Sequence, residues 1–545
     1  MINLKKNLKL YVLTALLTLS LGLASFGPAC AQLGPKPAGK WLAWDFHHHT
    51  TLTDGSWSMP DVFARAHQFG LDWWANSEHG GAFNRDTFNN FLDTLPGVTF
   101  LGDPADSSGT PAHKNMWRWQ SLLQFSYPVL DQLRHTYPEK TIIQGFEWNV
   151  PGHEHCSMAI IDESTDPSTK LPVTQFEYLF DGNDKDTTGG KAAPFNFEDP
   201  ANNGVTKNTV NNHAKAVQAV SWLQQYYPKK SWTVFAHPER KSLYKINHFR
   251  DFNNAAPDVA FGFESIPGHQ KAANRGEYGN TDPTANIADG KQTYGGAGIY
   301  SAKVGGLWDA LLSEGRHFWL FVNCDFHDPV NDFWLGEYSK NWTFVEDQNH
   351  DGKYSAQEIV DALRRGNSFC VLGDLINALQ FTAQQQDQEA TMGQTILVRG
   401  EKNFTLTIKF KSPLRNNGGN PPVVDHIDLI AGSVTGKISP TKSDGNPHPA
   451  YSQIDADAKV IARFTSLDWE VGEDGWTVIQ HHLQVTKDMY FRIRGTNQSL
   501  GGGQLDPLSG DPLPDALGVN NAAAAWVNLW FYSNPIFVKA IGSNK

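Results

Sequence analysis

The segment DFHHHTTLTDG, residues 45–55, places three consecutive histidines between an aspartate and an Asp-Gly pair. The residues WLAWDFHHH predict a β-strand, in which alternate side chains share a face. Asp45, His47 and His49 are therefore expected on one face and His48 on the other. A His-x-His pair on one face can chelate a single metal ion. This segment alone leaves a metal site and a chance histidine cluster both open.

Four later segments repeat one arrangement, in which an apolar, strand-like run is followed by metal-binding residue types. They are DWWANSEHGG with His79, TIIQGFEWNVPGHEHC with Glu147, His153 and His155, SWTVFAHPER with His237, and HFWLFVNCDFHDP with Asp325 and His327. Residues at strand ends converge at one mouth of a β/α barrel, so these side chains are expected to meet. Mixed imidazole and carboxylate ligands suit Zn, Mn or Fe.

In this order, the five segments resemble the PHP family, the polymerase and histidinol phosphatase superfamily. The resemblance extends over roughly residues 41–375 and rests on five ordered motifs. It implies an α/β fold, a distorted (β/α)7 barrel over residues 41–377, with a site for two or three divalent metals.

The resemblance also implies nine metal ligands in three groups. The first metal is expected on His47, His49, Glu147 and Asp325. A second shares Glu147 as a bridge and adds His155 and His237, and a third is expected on Asp54, His79 and His327. His153 remains an alternative to His155, which directly precedes the strand-like run CSMAII.

Three residues are candidate catalytic groups: Glu147, Asp325 and Arg240. Arg240 stands three residues after His237 and is expected to grip a phosphate oxygen, the alternative being a surface or core-capping arginine. Glu264 and His269, near another strand end, are expected to line the pocket.

These features predict a metal-dependent phosphoesterase that acts on a small or phosphorylated molecule. Two close metals lower the pKa of a bridging water and stabilise both oxygens of an in-line displacement. The same chemistry would serve a hydrolase of an amide or carboxylic ester, which is the alternative. A noncatalytic surface-binding protein is a third class. The net charge of −12 argues against nucleic acid as a stable partner.

The N-terminal region, residues 1–31, predicts a signal peptide and export to the periplasm or the medium. A lysine-containing start is followed by an apolar run and by Ala29-Cys30-Ala31, which fits a cleavage site, so a mature chain is expected to begin near Gln32. Lipidation of Cys30 is the alternative. The remainder of the sequence predicts no membrane span.

Residues 347–358, DQNHDGKYSAQE, match an EF-hand calcium loop at several positions. The expected ligands of a structural Ca²⁺ are Asp347, Asn349, Asp351, the Lys353 carbonyl and Glu358. The alternative is a polar turn that binds nothing. Beyond it, residues 378–545 alternate with period two between turn residues, which predicts a β-sandwich domain.

Overall fold

The computed structural model describes residues 38–102, 105–108, 112–163, 171–278, 292–399, 403–516 and 521–541. The predicted signal peptide lies outside these residues. The described chain is a mixed α/β structure with several sheets. Within it, no helix has both the length and the apolar character needed to cross a membrane.

Strands and helices alternate through the first two thirds of the chain. The strands are β1 (Gly39–Asp45), β2 (Trp73–Ala75), β3 (Ala82–Phe83), β4 (Ala105–Ser108), β5 (His113–Trp117), β6 (Thr141–Ile143), β7 (Gly145–Asn149), β8 (His155–Ile160), β9 (Ser231–Ala236), β10 (Ala260–Ile266), β11 (Trp319–Val322), β12 (Ser339–Glu346) and β13 (Ser368–Leu372). The helices are α1 (Met59–Gln68), α2 (Arg118–Ser121), α3 (Tyr127–Thr136), α4 (Pro172–Phe180), α5 (His213–Tyr226), α6 (Ile246–Ala255), α7 (Ile299–Ala302), α8 (Leu307–Ser313) and α9 (Ala356–Arg365).

Shorter helical turns complete this region. A π-helical turn, Leu122–Ser126, joins α2 to α3. The 3-10 turns of the whole described chain are Leu92–Thr94, Pro200–Asn202, Arg240–Ser242, Arg275–Glu277 and Pro449–Ser452.

Local sequence explains where the helices next to the motifs begin and end. Helix α1 begins after Ser58, whose side chain accepts the Asp61 N–H, and Pro60 occupies its first turn. Helix α9 begins with a capping box between Ser355 and Glu358 and ends at Gly366, where φ is 74°.

Two groups of strands meet around the histidine segments. Strands β1, β2 and β6 are parallel neighbours, whereas β7 to β11 form a five-stranded sheet in chain order. Two parallel bridges connect the groups, His48 with Phe326 and His79 with Glu147. The ends of β1 and β11, and those of β2 and β7, therefore lie side by side.

Aromatic rings fill the space between these strands. The Trp44 ring lies 4.8 Å from that of Trp73 and 5.4 Å from that of Phe321, and Phe46 lies 5.8 Å from Trp232. All five side chains are buried. Since Phe46 directly precedes His47, this packing fixes the backbone from which His47 projects.

The last third of the chain is mostly β-strand. Its strands are β14 (Ala378–Gln385), β15 (Gln388–Thr391), β16 (Thr395–Arg399), β17 (Phe404–Lys411), β18 (His426–Ser433), β19 (Lys459–Thr465), β20 (Glu470–Val471), β21 (Thr477–Leu483), β22 (Met489–Thr496), β23 (Trp530–Ser533) and β24 (Ile536–Ile541), with one described helix, α10 (Asn521–Val527). Strands β14, β15, β17, β20 and β21 form an antiparallel sheet. Alternate residues of β17 are buried, and Phe404 packs edge-on against Phe491 of β22, 5.6 Å away.

The remaining C-terminal strands continue the sheet that contains β1. Strand β23 pairs with β13, β13 with β12, and β12 with β1, all antiparallel. One eleven-stranded sheet therefore contains strands from both sides of residue 378. The domain boundary at residues 377 and 378 stays a prediction.

A buried ion pair also ties the two regions together. Asp309 of α8 accepts hydrogen bonds from Arg492 Nε at 2.8 Å and Nη2 at 2.7 Å, and from the Tyr490 hydroxyl at 2.9 Å. The Arg492 guanidinium lies over the Trp308 ring. Breaking a buried pair on one side leaves an uncompensated charge.

We expect Asp309→Asn to lower the free energy of unfolding by about 3–5 kcal/mol, because Arg492 stays buried without its counter-charge. The control is Asp361→Asn on α9, which breaks a partly exposed pair with Arg364 and should cost about 0–1 kcal/mol. Denaturant unfolding measures both. Equal losses of unfolding free energy in the two variants would contradict a special contribution of the buried pair to stability.

Candidate metal centre

The histidine segment turns into the centre just after β1 ends. His47 and His49 project into it, while His48 packs its ring 5.2 Å from that of Phe63 on the opposite side. The alternation expected from the sequence holds for these three residues. Asp45 differs, since its Oδ1 accepts the His47 N–H at 2.9 Å and so supports the turn.

Glu147 lies at the middle of the group, fully buried on β7. Its two oxygens face different imidazoles. Nitrogen distances from Oε1 are 3.0 Å to His47 Nε2, 3.0 Å to His155 Nδ1 and 3.3 Å to His237 Nε2. Those from Oε2 are 2.7 Å to His79 Nδ1 and 3.4 Å to His49 Nε2. A carboxylate surrounded in this way is suited to bridging two cations.

Asp325 faces the same imidazoles from the end of β11. Its Oδ1 lies 3.2 Å from His47 Nε2 and 3.3 Å from His49 Nε2. Its Oδ2 instead faces two further cationic side chains, Arg240 Nη2 at 3.2 Å and His269 Nε2 at 3.1 Å. Arg240 is thus at the pocket, held by a predicted metal ligand.

Asp54 forms a more open corner of the centre. Its Oδ2 lies 3.3 Å from His79 Nε2, and its Oδ1 lies 3.5 Å from His327 Nε2 and 3.7 Å from His49 Nδ1. The Asp54 side chain is 47% exposed, so this corner is open to solvent.

The structure brings all nine residues predicted as ligands into one contiguous group, and His155, not His153, is the histidine of its loop that reaches Glu147. Sets that could each hold one ion include His47 with Glu147 and His237, His79 with Glu147 and His155, and His49 with Asp54, His79 and His327. The assignment of these residues as ligands stays a prediction.

The donor set fits divalent metal ions. His47 Nε2, both nitrogens of His49, Glu147 Oε2 and His237 Nδ1 are buried with no hydrogen bond in the structure. Buried polar atoms normally have partners. Two ligand atoms that each lie about 2.1 Å from a shared ion are separated by about 3.0–3.4 Å, which matches most of the separations around Glu147.

The pKa values of the two buried carboxylates also indicate a site for positively charged groups. Burial alone would raise the pKa of Glu147, but His155, His47 and His79 hold it well below its usual range. Asp325 shows the same balance, with His47 and His269 lowering its pKa. Both groups are therefore carboxylates in a dry environment, which requires positive charge beside them.

Three residues whose side chains line the same cavity, which has a volume of about 370 Å³, have a strained backbone. His237, His269 and Asp325 have φ values of 30°, 53° and 44°. Non-glycine residues in the left-handed region cost of order 1 kcal/mol and persist where surrounding structure over-determines them, commonly at functional sites. Here each strained residue turns its side chain into the cavity at the end of a strand.

Two residues have roles that the sequence motifs did not specify. Glu264, buried on β10, lies 2.7 Å from His47 Nδ1 through its Oε2. It can therefore hold the His47 ring with Nε2 facing Glu147. His269 bridges Asp325 and Asp332, at 3.1 and 2.6 Å. Their positions near a strand end predicted that both residues line the pocket; His269 does, whereas Glu264 is fully buried and is not among the lining residues.

The calcium-like loop lies apart, between β12 and α9. Asp347 accepts backbone N–H groups of Asp351 at 3.1 Å and Gly352 at 2.9 Å. Glu358 accepts those of Gln348 at 2.9 Å and Ser355 at 2.8 Å. Such a turn is compatible with both alternatives, so Ca²⁺ binding stays a prediction.

No family model matches the sequence, and no curated protein matches it. Among solved structures, the chain is similar to a two-domain protein from Bacteroides vulgatus, described as containing a predicted PHP-like metal-dependent phosphoesterase. The identity is 13% and the TM-score 0.34, with 90% of this chain and 99% of that chain covered.

Glu264→Gln should weaken divalent-metal affinity by about 10–100-fold, because a neutral amide orients and polarises His47 less than a carboxylate does. Titration with Mn²⁺ or Zn²⁺ measures the change. Glu239→Gln is the control, since Glu239 is equally buried but bonds Ser265 and Tyr278 instead of an imidazole. Unaltered affinity in Glu264→Gln would rule out this orienting role.

For the loop, Asp347→Ala and Glu358→Ala should abolish any rise in melting temperature on addition of Ca²⁺, because preferential binding to the native state stabilises it. Glu358→Ala also removes a helix cap worth about 1 kcal/mol, so the Ca²⁺ response, rather than the melting temperature itself, is the readout. Ser355→Ala removes the cap but no predicted ligand and is the control. A Ca²⁺ response preserved in both ligand variants would favour the polar turn.

Proposed function

We propose that the protein is a PHP-type, metal-dependent phosphoesterase that uses two or three divalent transition metals to hydrolyse a small phosphorylated molecule. The observation that carries the proposal is the buried Glu147 carboxylate with imidazoles of five histidines within 3.4 Å of its oxygens. Divalent ions held there would supply Lewis acidity and an activated water.

Strand pairing supports a distorted barrel as the scaffold. Beginning at β1, hydrogen-bonded neighbours run through β2 to β6. The chain continues from β6 into β7 through Gln144, and hydrogen-bonded neighbours then run from β7 through β8, β9 and β10 to β11. The bridge between His48 and Phe326 returns to the start. Packing of β17 on β22 similarly supports a sandwich for the C-terminal strands.

Different side chains of the cavity would have different roles in this reaction. Imidazoles and carboxylates at or near separate strand ends would hold the ions and orient the reacting group. Arg240 is held beside Asp325, with a buried Nε that lacks a hydrogen bond. An anionic oxygen entering the cavity would find this guanidinium at its wall, and guanidinium groups bind phosphate oxygens well. This favours a phosphoester over an amide or carboxylic ester.

Location and metal identity complete the proposal. Mixed nitrogen and oxygen donors suit Zn, Mn or Fe. The basic and apolar N-terminal residues of the sequence support export to the periplasm or the medium.

Protein loaded with Mn²⁺ or Zn²⁺ is assayed against phosphomonoesters, phosphodiesters, carboxylic esters and amides. We expect phosphoester hydrolysis. For Glu147→Gln we expect kcat/KM to fall by more than about 100-fold, because a residue that binds the metal directly should matter more than a residue, such as Glu264, that only orients a ligand. Elemental analysis should show loss of two metal equivalents together. The matched control is Glu163→Gln, whose carboxylate pairs with Arg134 away from the centre.

Wild-type turnover in Glu147→Gln would contradict the dinuclear mechanism. Cleavage of amides or carboxylic esters without cleavage of phosphoesters would replace the phosphoesterase by the alternative hydrolase. Full metal content without turnover of any substrate class would favour a binding protein.

A further inference from the structure

A second group of histidines lies outside the centre just described. His153 is in the turn between β7 and β8, His213 is the first residue of α5, and His248 is in the first turn of α6. One ring nitrogen from each lies within 4.8 Å of the others. All three residues are half-buried. We call them the three-histidine cluster.

Hydrogen bonds behind two of the rings determine which nitrogens face inward. His153 Nδ1 lies 3.1 Å from the Leu243 carbonyl oxygen, so this nitrogen donates a proton to it. His213 Nε2 lies 3.1 Å from Asp251 Oδ2 and donates to that carboxylate. In the neutral rings, His153 Nε2 and His213 Nδ1 are then both acceptors.

These two acceptors face each other at 2.8 Å. Two lone pairs at that distance repel unless an electropositive group lies between or beside them. A proton on His213 is one solution.

A metal ion is the other solution, and the surroundings fit it. Metal-ligating histidines usually donate their second nitrogen to a carboxylate or a backbone carbonyl, as His213 and His153 do here. Asp251 is itself fixed, since its Oδ1 accepts the Tyr451 hydroxyl at 2.7 Å. The His248 ring lies 4.5 Å from both other rings, and its Nδ1 accepts the Lys245 N–H at 3.2 Å.

We propose that His153, His213 and His248 bind one Zn²⁺ ion, with Asp251 as the partner that orients His213. Three imidazoles plus a water complete the four-coordinate geometry that Zn²⁺ prefers. The ion would fasten the β7–β8 turn to α5 and α6. Because that turn leads directly to His155, the zinc would stabilise the loop that delivers a histidine to Glu147.

The test measures zinc content of the full-length protein after removal of metals, equilibration with ZnCl₂ and separation from unbound zinc. His213→Ala and His248→Ala should each retain one zinc equivalent less than the wild type. The control is His135→Ala, an exposed histidine on α3 that bonds only the Asp131 carbonyl oxygen, and it should bind as much zinc as the wild type. Unchanged zinc content in both cluster variants would overturn the proposal.

Asp251→Asn provides an independent measurement in which all three rings remain. Its zinc content at saturation should equal that of the wild type, while affinity for the last equivalent falls about 10–100-fold. An affinity equal to that of the wild type would overturn the proposal even if a histidine variant failed to fold. The result is separate from the proposed phosphoesterase, because His213, His248 and Asp251 contribute no predicted ligand to the centre at Glu147.

Discussion

The structure depends on one electrostatic constraint: two buried carboxylates, Glu147 and Asp325, must be neutralised at the wall of a cavity. An isolated ionised carboxylate in such a place is very costly, and proteins meet that cost with paired charges, hydrogen bonds or metals. The imidazoles that surround these carboxylates come from six separate chain segments, which contribute His47 with His49, His79, His155, His237, His269 and His327. These segments meet only because the ends of the strands next to them lie close together.

The scaffold meets that requirement with rigid parts. Packed aromatic rings between β1, β2, β9 and β11 hold the strand ends, and bridges join β1 to the segment after β11 and β2 to β7. At His237, His269 and Asp325, a strained backbone turns the side chain into the cavity. Glu264 and Asp332 extend the arrangement outward, since they fix the rings of His47 and His269.

Much of the centre could be predicted from the sequence because its residues follow strand-like runs, and period-two patterns located many C-terminal strands. Orienting partners could not be found in this way. Glu264 lies 217 residues from His47 in sequence, and nothing local indicates that the two meet. His153 and His155 are both histidines of one short segment, so residue type alone does not show which of them is the ligand. In the folded chain, His155 contacts Glu147 and His153 contacts His213. Pairing of β23 with β13 is likewise a long-range event that alternation alone does not specify.

The most direct test of the central claim is anomalous diffraction from crystals of the full chain grown with Mn²⁺ or Zn²⁺. The account predicts at least two anomalous peaks flanking Glu147, each about 2.0–2.3 Å from one of its carboxylate oxygens, with His47 and His155 nitrogens at similar distances from different peaks. Crystals that contain bound metal elsewhere but show no peak within bonding distance of Glu147 would contradict it.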